Sequence, residues 1–308
     1  MSGPATAADV VLGAGPDPVG AGTGVEVTAS RETQVGAFRV RRALPLRARR
    51  TVGAWCFVDH LGPAAVTEDH GLDIGPHPHI GLQTVTWLLQ GEALHRDSLG
   101  SEQVIRPGQL NLMTAGRGVA HAEEATGRYH GDLHGVQLWV AQPDGTRDGP
   151  AGFEHHAELP RVELSAAQAT VLVGELAGAR SPARRDTDHV GVDLDLRRGT
   201  TAVPLRPDSE YGLVVLAGAV AVDGVHLGPG RLAYLGAGRD EVALAATAPA
   251  RALLLGGVPF DDPLVMWWNY VARTRDEIVE AHRAWEAGDH RFGVVDSPLA
   301  RITVGGGP

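Results

Sequence analysis

The sequence contains no lysine. All 27 basic residues are arginine, set against 37 acidic residues, for a formal net charge of −10. Schiff-base catalysis, lysine-held pyridoxal phosphate and the Walker-loop lysine all require a primary amine, so the absence excludes them together. The acidic balance argues against direct contact with nucleic acid, where affinity rests on neutralised phosphates. The local excess of positive charge at Arg41, Arg42, Arg47, Arg49 and Arg50 reads as a solvated surface rather than an anion site. Cysteine is almost absent too. Cys56 alone cannot close an internal disulfide, fits a reducing cytoplasm, and reads as a small buried apolar residue. No run of 18 apolar residues offers a transmembrane helix, and the N-terminus shows no basic-then-apolar secretory leader. G-x-S-x-G, G-x-G-x-x-G and paired C-x-x-C motifs are also missing.

Histidine is abundant, with 14 in 308 residues. Two doublets stand out: His77-Pro78-His79, and His121-Ala122-Glu123 at the end of a glycine-rich run, Gly116-Arg117-Gly118. In a strand, residues i and i+2 project to one face. Each doublet therefore presents two ligands together, and two facing strand edges would bring three imidazoles and one carboxylate to a single metal ion. The separation, 121 − 79 = 42 residues, fits about three short strands and their turns. Imidazole suits iron, nickel, copper or zinc, and an added carboxylate suits iron or manganese. A third doublet, His95-Arg96-Asp97, reads as a chance pair at this histidine density.

Short strand-like segments recur about every ten residues, separated by Gly and Pro turns, which indicates an all-β sandwich or barrel. Gln83–Leu89, Glu92–Asp97, Leu110–Met113 and His134–Val140 are examples. An internal repeat sets the architecture. Arg106-Pro107-Gly108-Gln109-Leu110 through Ala115-Gly116-Arg117 echoes Gly228-Pro229-Gly230-Arg231-Leu232 through Ala237-Gly238-Arg239, and Trp87–Gly91 echoes Val214–Gly218. Fourteen residues beyond Pro107 stands His121; fourteen beyond Pro229 stands Ala243. The second copy is therefore expected to be a metal-free structural partner. Residues 1–24 read as a flexible tail, 25–150 as a metal-binding barrel, and 151–308 as a second barrel ending in a helix. Thr274-Arg275-Asp276-Glu277 is a capping box, followed by Ile278, Ala281, His282 and Trp285 at helical spacing. His282 reads as a helix-face residue.

His77-Pro78-His79-Ile80-Gly81, the Gln90–Gly100 segment, Met113-Thr114-Ala115-Gly116-Arg117-Gly118 with His121 and Glu123, and Gly135–Val140 together resemble the pirin family of the cupin superfamily. The resemblance implies a bicupin, two antiparallel β-barrels, with Fe(II) held in the first by His77, His79, His121 and Glu123. Spacing alone leaves Mn, Ni, Cu and Zn open. Gln83 stands where many cupins place a ligand glutamate, so the carboxylate falls to Glu123. Some pirin-like proteins open the flavonol quercetin with dioxygen, releasing carbon monoxide. For this chain the implied activity is that of a dioxygenase on a flavonol-like aromatic substrate. The metal would acidify the flavonol hydroxyl, Glu123 would accept its proton, and Trp87, Leu112 and Met113 would line the pocket. The alternative is a non-catalytic, iron-binding redox sensor that binds protein partners. The family likeness implies a monomer.

Overall fold

The computed structural model describes residues 11–12, 24–67 and 71–307. The expected tail lies outside the described residues except for Gly24 and the two-residue strand Val11–Leu12, which pairs with Val265 and Met266.

The chain folds into two β-barrels, each a seven-stranded sheet facing a four-stranded one, with antiparallel ladders throughout. In the first barrel the large sheet runs Gly152–His156, Leu110–Thr114, Leu82–Gln90, Gly131–Ala141, Trp55–Val66, Phe38–Leu44, Arg31–Val35. Its small sheet runs Ile74–His79, Val119–Glu124, Ala93–Asp97, Glu102–Ile105. The second barrel repeats this order. Its large sheet runs Glu26–Ala29, Arg231–Gly236, Glu210–Ala217, Ala250–Gly257, His189–Leu196, Ala167–Val173, Arg161–Leu164, and its small sheet runs Gly199–Pro204, Glu241–Ala246, Val220–Val222, Val225–Leu227. The sequence echo thus corresponds to a duplicated strand order.

The halves interleave, and the sheets do not divide at residue 150. The edge position beside Leu110–Thr114 is filled by Gly152–His156, from beyond the first barrel. The equivalent edge of the second barrel, beside Arg231–Gly236, is filled by Glu26–Ala29, from before the first barrel.

The two large sheets pack against each other through Val58, Val85, Trp87, Leu110 and Leu112 on one side and Leu172, Val214, Leu216, Leu232 and Leu253 on the other. Burial of each such side chain contributes about 1.5–3 kcal/mol. Trp87 Nε1 donates to Asp193 Oδ2 (2.9 Å) and Trp55 Nε1 to the Val190 carbonyl (3.1 Å), so both indole polar groups find partners across the seam.

The helix Arg275–Glu286 forms as its capping residues require, with Thr274 Oγ1 accepting from the Glu277 amide (3.2 Å). Its buried face is Ile278, Ala281, His282 and Trp285. Although it follows the second barrel, the helix covers the first. With the hairpin Val265–Trp267/Tyr270–Ala272, it packs on Ile80, Ala120 and Ala122 of the small sheet. Among the described residues no helix is long and apolar enough to cross a membrane.

Two of the five clustered arginines depart from expectation. Arg42 is 2% exposed and forms a double hydrogen bond to Asp59 (2.7 and 2.6 Å), and Arg49 is 6% exposed, paired with Glu26 and stacked on Tyr234. Alternation along Phe38–Leu44 turns Arg42 inward, where only a partnered guanidinium is tolerated. Cys56 is buried, and burial pushes its thiol up to about 12.

Candidate metal centre

His77, His79, His121 and Glu123 sit on neighbouring strands of the first barrel's small sheet. Val119–Glu124 pairs with Ile74–His79 so that His121 lies opposite His77 and Val119 opposite His79. The ligating nitrogens of the three histidines all lie within 4.8 Å of one another, and His79 Nε2 stands 3.0 Å from His121 Nε2. The register slips between His121 and Glu123. This bulge sets Glu123 apart from the tight triad, and it still lines the same cavity.

The backbone holds the rings. His77 Nδ1 donates to the Gly75 carbonyl and His79 Nδ1 to the Asn269 carbonyl, both at 2.9 Å. Each leaves its Nε2 as a lone pair facing the centre. Asn269 comes from the C-terminal hairpin, which approaches because Gly81 (φ +67°) carries no side chain; a Cβ there would collide with the Val271 carbonyl. Burial lowers His77 to about 3 and holds His79 and His121 well below the usual imidazole range, each further depressed by its neighbours. Burial raises Glu123. Converging neutral imidazoles, with lone pairs aimed at one point and the opposite nitrogens tied down, are the donor set a transition-metal ion requires.

The triad opens into a cavity. Phe57 and Trp139 line one side as a face-to-face pair, stacked at 4.0 Å and 14°. Leu61, Leu72, Ile74, Leu88 and Val136 make it apolar. Its polar side consists of Asp59 and a hydrogen-bonded pair, Thr86 Oγ1 to Gln137 Oε1 (2.8 Å). That bond fixes the amide so that Gln137 keeps its Nε2 donor free for other partners.

The expected pocket residues are elsewhere. Trp87 and Leu112 face the second barrel in the inter-barrel core, and Met113 packs in a cluster with Phe57 and Trp139 without lining the cavity. The cause is strand parity: Thr86 and Leu88 point into the barrel, so Trp87 between them points out. The doublet His95-x-Asp97 is not a chance pair. Its strand flanks Val119–Glu124 on the side opposite the His77 strand, with Asp97 opposite His121 and His95 opposite Glu123. The period-2 signal that marked the other two doublets is present there as well.

The chain matches the Pirin family over residues 37–140 and the Pirin C-terminal cupin domain over residues 191–293. A Pseudomonas aeruginosa protein whose name proposes a quercetin 2,3-dioxygenase is 50% identical over 272 residues, covering 88% of this chain and 86% of the relative. A pirin-like protein of Caulobacter vibrioides is 39% identical over 266 residues, 84% of this chain and 92% of the relative. The crystal structure of a quercetin 2,3-dioxygenase from Acinetobacter baumannii superposes with a TM-score of 0.89 at 44% identity, covering 92% of this chain and 96% of that one. Duplicated barrels, the inward histidine triad and these likenesses agree, and the chain belongs to the pirin family.

Proposed function

We propose that His77, His79 and His121, with Glu123 as the carboxylate, hold a divalent metal, Fe(II) foremost, and that the chain is a dioxygenase that opens flavonols such as quercetin. The observation that carries this reading is the opening of a three-imidazole centre into an apolar cavity with an aromatic wall. The likeness to proteins named as quercetin 2,3-dioxygenases supports the choice of substrate. A metal bound here supplies an open coordination position and lowers the pKa of a hydroxyl placed on it. The chain's own residues do the rest. The three imidazoles orient the centre. Glu123, held protonatable by burial, takes the proton that the substrate hydroxyl releases. The stacked Phe57–Trp139 pair bounds the space for a flat ring, Gln137 Nε2 donates to a substrate oxygen, and the aliphatic lining excludes water.

The test is aerobic turnover of quercetin by protein of measured metal content, beside a His121→Ala variant. Loss of the flavonol spectrum with release of carbon monoxide, abolished in the variant, is the expected result. No turnover by fully iron-loaded protein overturns the dioxygenase reading and leaves the iron-binding redox sensor with protein partners. Reconstitution with Fe, Mn, Ni, Cu and Zn in turn identifies the active ion.

A further inference from the structure

We infer that the inward face of the first barrel's large sheet carries a hydroxyl-reading row: Asp59 accepts a hydrogen bond from a ring hydroxyl of the substrate, Gln137 donates to the same group, and the site thereby selects neutral, hydroxylated aromatic molecules. This deepens, and rests on, the reading of the cavity as a site for a flavonol-like substrate.

The row follows from strand register. Gln137 lies opposite Thr86 on one neighbouring strand and opposite Asp59 on the other, and Asp59 lies opposite Arg42. One polar row therefore crosses four strands. On one side of it stand Trp139 and Phe57, opposite each other, and on the other stand Leu88, Gly135, Leu61 and Val40. All of these except Arg42 line the cavity. The row is on the large sheet and the histidine triad on the small one, so the hydroxyl it reads is a different one from the hydroxyl at the metal.

Bonds within the row decide what it shows a ligand. Thr86 Oγ1 donates to Gln137 Oε1 (2.8 Å), so Gln137 presents N–H groups. Arg42 stands behind Asp59, donating to its two oxygens at 2.7 and 2.6 Å, and packs on the Phe57 ring at 4.5 Å. Each carboxylate oxygen keeps a second lone pair. Residues directly opposite on paired strands stand about 4.5–5.5 Å apart at Cβ. A donor and an acceptor at that spacing suit one hydroxyl, or two on adjacent ring carbons, donating to Asp59 and accepting from Gln137. The guanidinium balances the charge of Asp59, so the partner called for is an un-ionised hydroxyl; a ring carboxylate would meet the aspartate oxygens. A buried Arg–Asp pair adds little stability over apolar residues of equal volume, so packing alone does not account for it. A ring without hydroxyls leaves both groups unpaired in an apolar wall, and discrimination arises there.

The experiment is equilibrium binding by calorimetry, without oxygen, to full-length protein of measured metal content. Quercetin is paired with 3-hydroxyflavone, which keeps the hydroxyl beside the ketone and lacks every other. On metal-free protein, 2-naphthol is paired with naphthalene. The parent should bind the hydroxylated member of each pair about 10–100-fold more tightly. Asp59→Asn should remove most of this preference by weakening the hydroxylated member only. The double substitution Arg42→Met with Asp59→Leu, which replaces the pair by apolar side chains of similar size, should do the same and serves where Asp59→Asn fails to fold. A parent that binds both members of either pair equally overturns the proposal, and so does a folded variant that keeps the preference. A parent that separates the naphthol pair and neither binds nor turns over quercetin supports the row and sinks the flavonol reading.

Discussion

The two barrels share one strand order and use it in opposite ways. In the first, the inward positions of three adjacent small-sheet strands carry His77 and His79, His121 and Glu123, His95 and Asp97. In the second, the matching strands turn Val203, Val242, Leu244, Val220 and Val222 into one aliphatic core. The outer faces differ as well. Gly199–Pro204 and Glu241–Ala246 alternate buried and exposed residues, as a sheet with one wet face does. Ile74–His79 is buried at every position, and Val119–Glu124 at all but Glu123. A sheet whose inside is polar gains its apolar contacts outside, from the C-terminal helix and hairpin. The second barrel fills this interior with aliphatic side chains; the first places imidazoles and carboxylates there.

The largest expected effect that separates the barrels is on metal binding. His121→Ala should lower affinity more than about 100-fold and abolish turnover, read by metal analysis and by the flavonol assay. Next comes acid sensitivity of the metal-free protein. His60 and His77 fall to about 3 in the fold, mainly through burial, from an ordinary 6.5. Their folded values are depressed, so the stability they permit is complete above about pH 6.5 and is lost as pH falls toward 3. Each contributes a slope of about 1.4 kcal/mol per pH unit in that window. Urea unfolding at a series of pH values checks it; a flat profile would show that these imidazoles are not neutral and dry. Third, Leu244→Ala in the second barrel should cost about 2–5 kcal/mol of stability and leave metal affinity unchanged, by urea titration beside a chelator assay. The smallest effect should come from Thr86→Val, which frees the Gln137 amide to rotate. KM should rise about 3–10-fold with kcat held, the scale of one neutral hydrogen bond.

Much of this contrast was legible in the chain. The period-2 doublets pointed to His77, His79 and His121, which the fold gathers into one cluster with Glu123 lining the same cavity, and the Pro-Gly echo marked the duplication. The parts that failed did so for definite reasons. Trp87 sits in a large sheet packed on both faces, where hydrophobicity does not distinguish inside from outside; only the partner sheet decides which parity lines the cavity. The fourteen-residue count from Pro229 reached Ala243, which is exposed, while the inward positions are Val242 and Leu244. One residue of difference in a turn flips the face. Arg42 looked like surface because its partner, Asp59, lies 17 residues away on the next strand. The exchange of edge strands between halves leaves no local mark at all.

The Asn269 carbonyl that holds His79 lies 190 residues downstream. Synthesis runs from the N-terminus, so the three histidines are made well before that carbonyl. A nascent or truncated chain ending before the hairpin lacks the acceptor that orients the His79 ring. The geometry of the histidine cluster is thus completed late in the life of the polypeptide, a mark that distinguishes a finished molecule from an unfinished one.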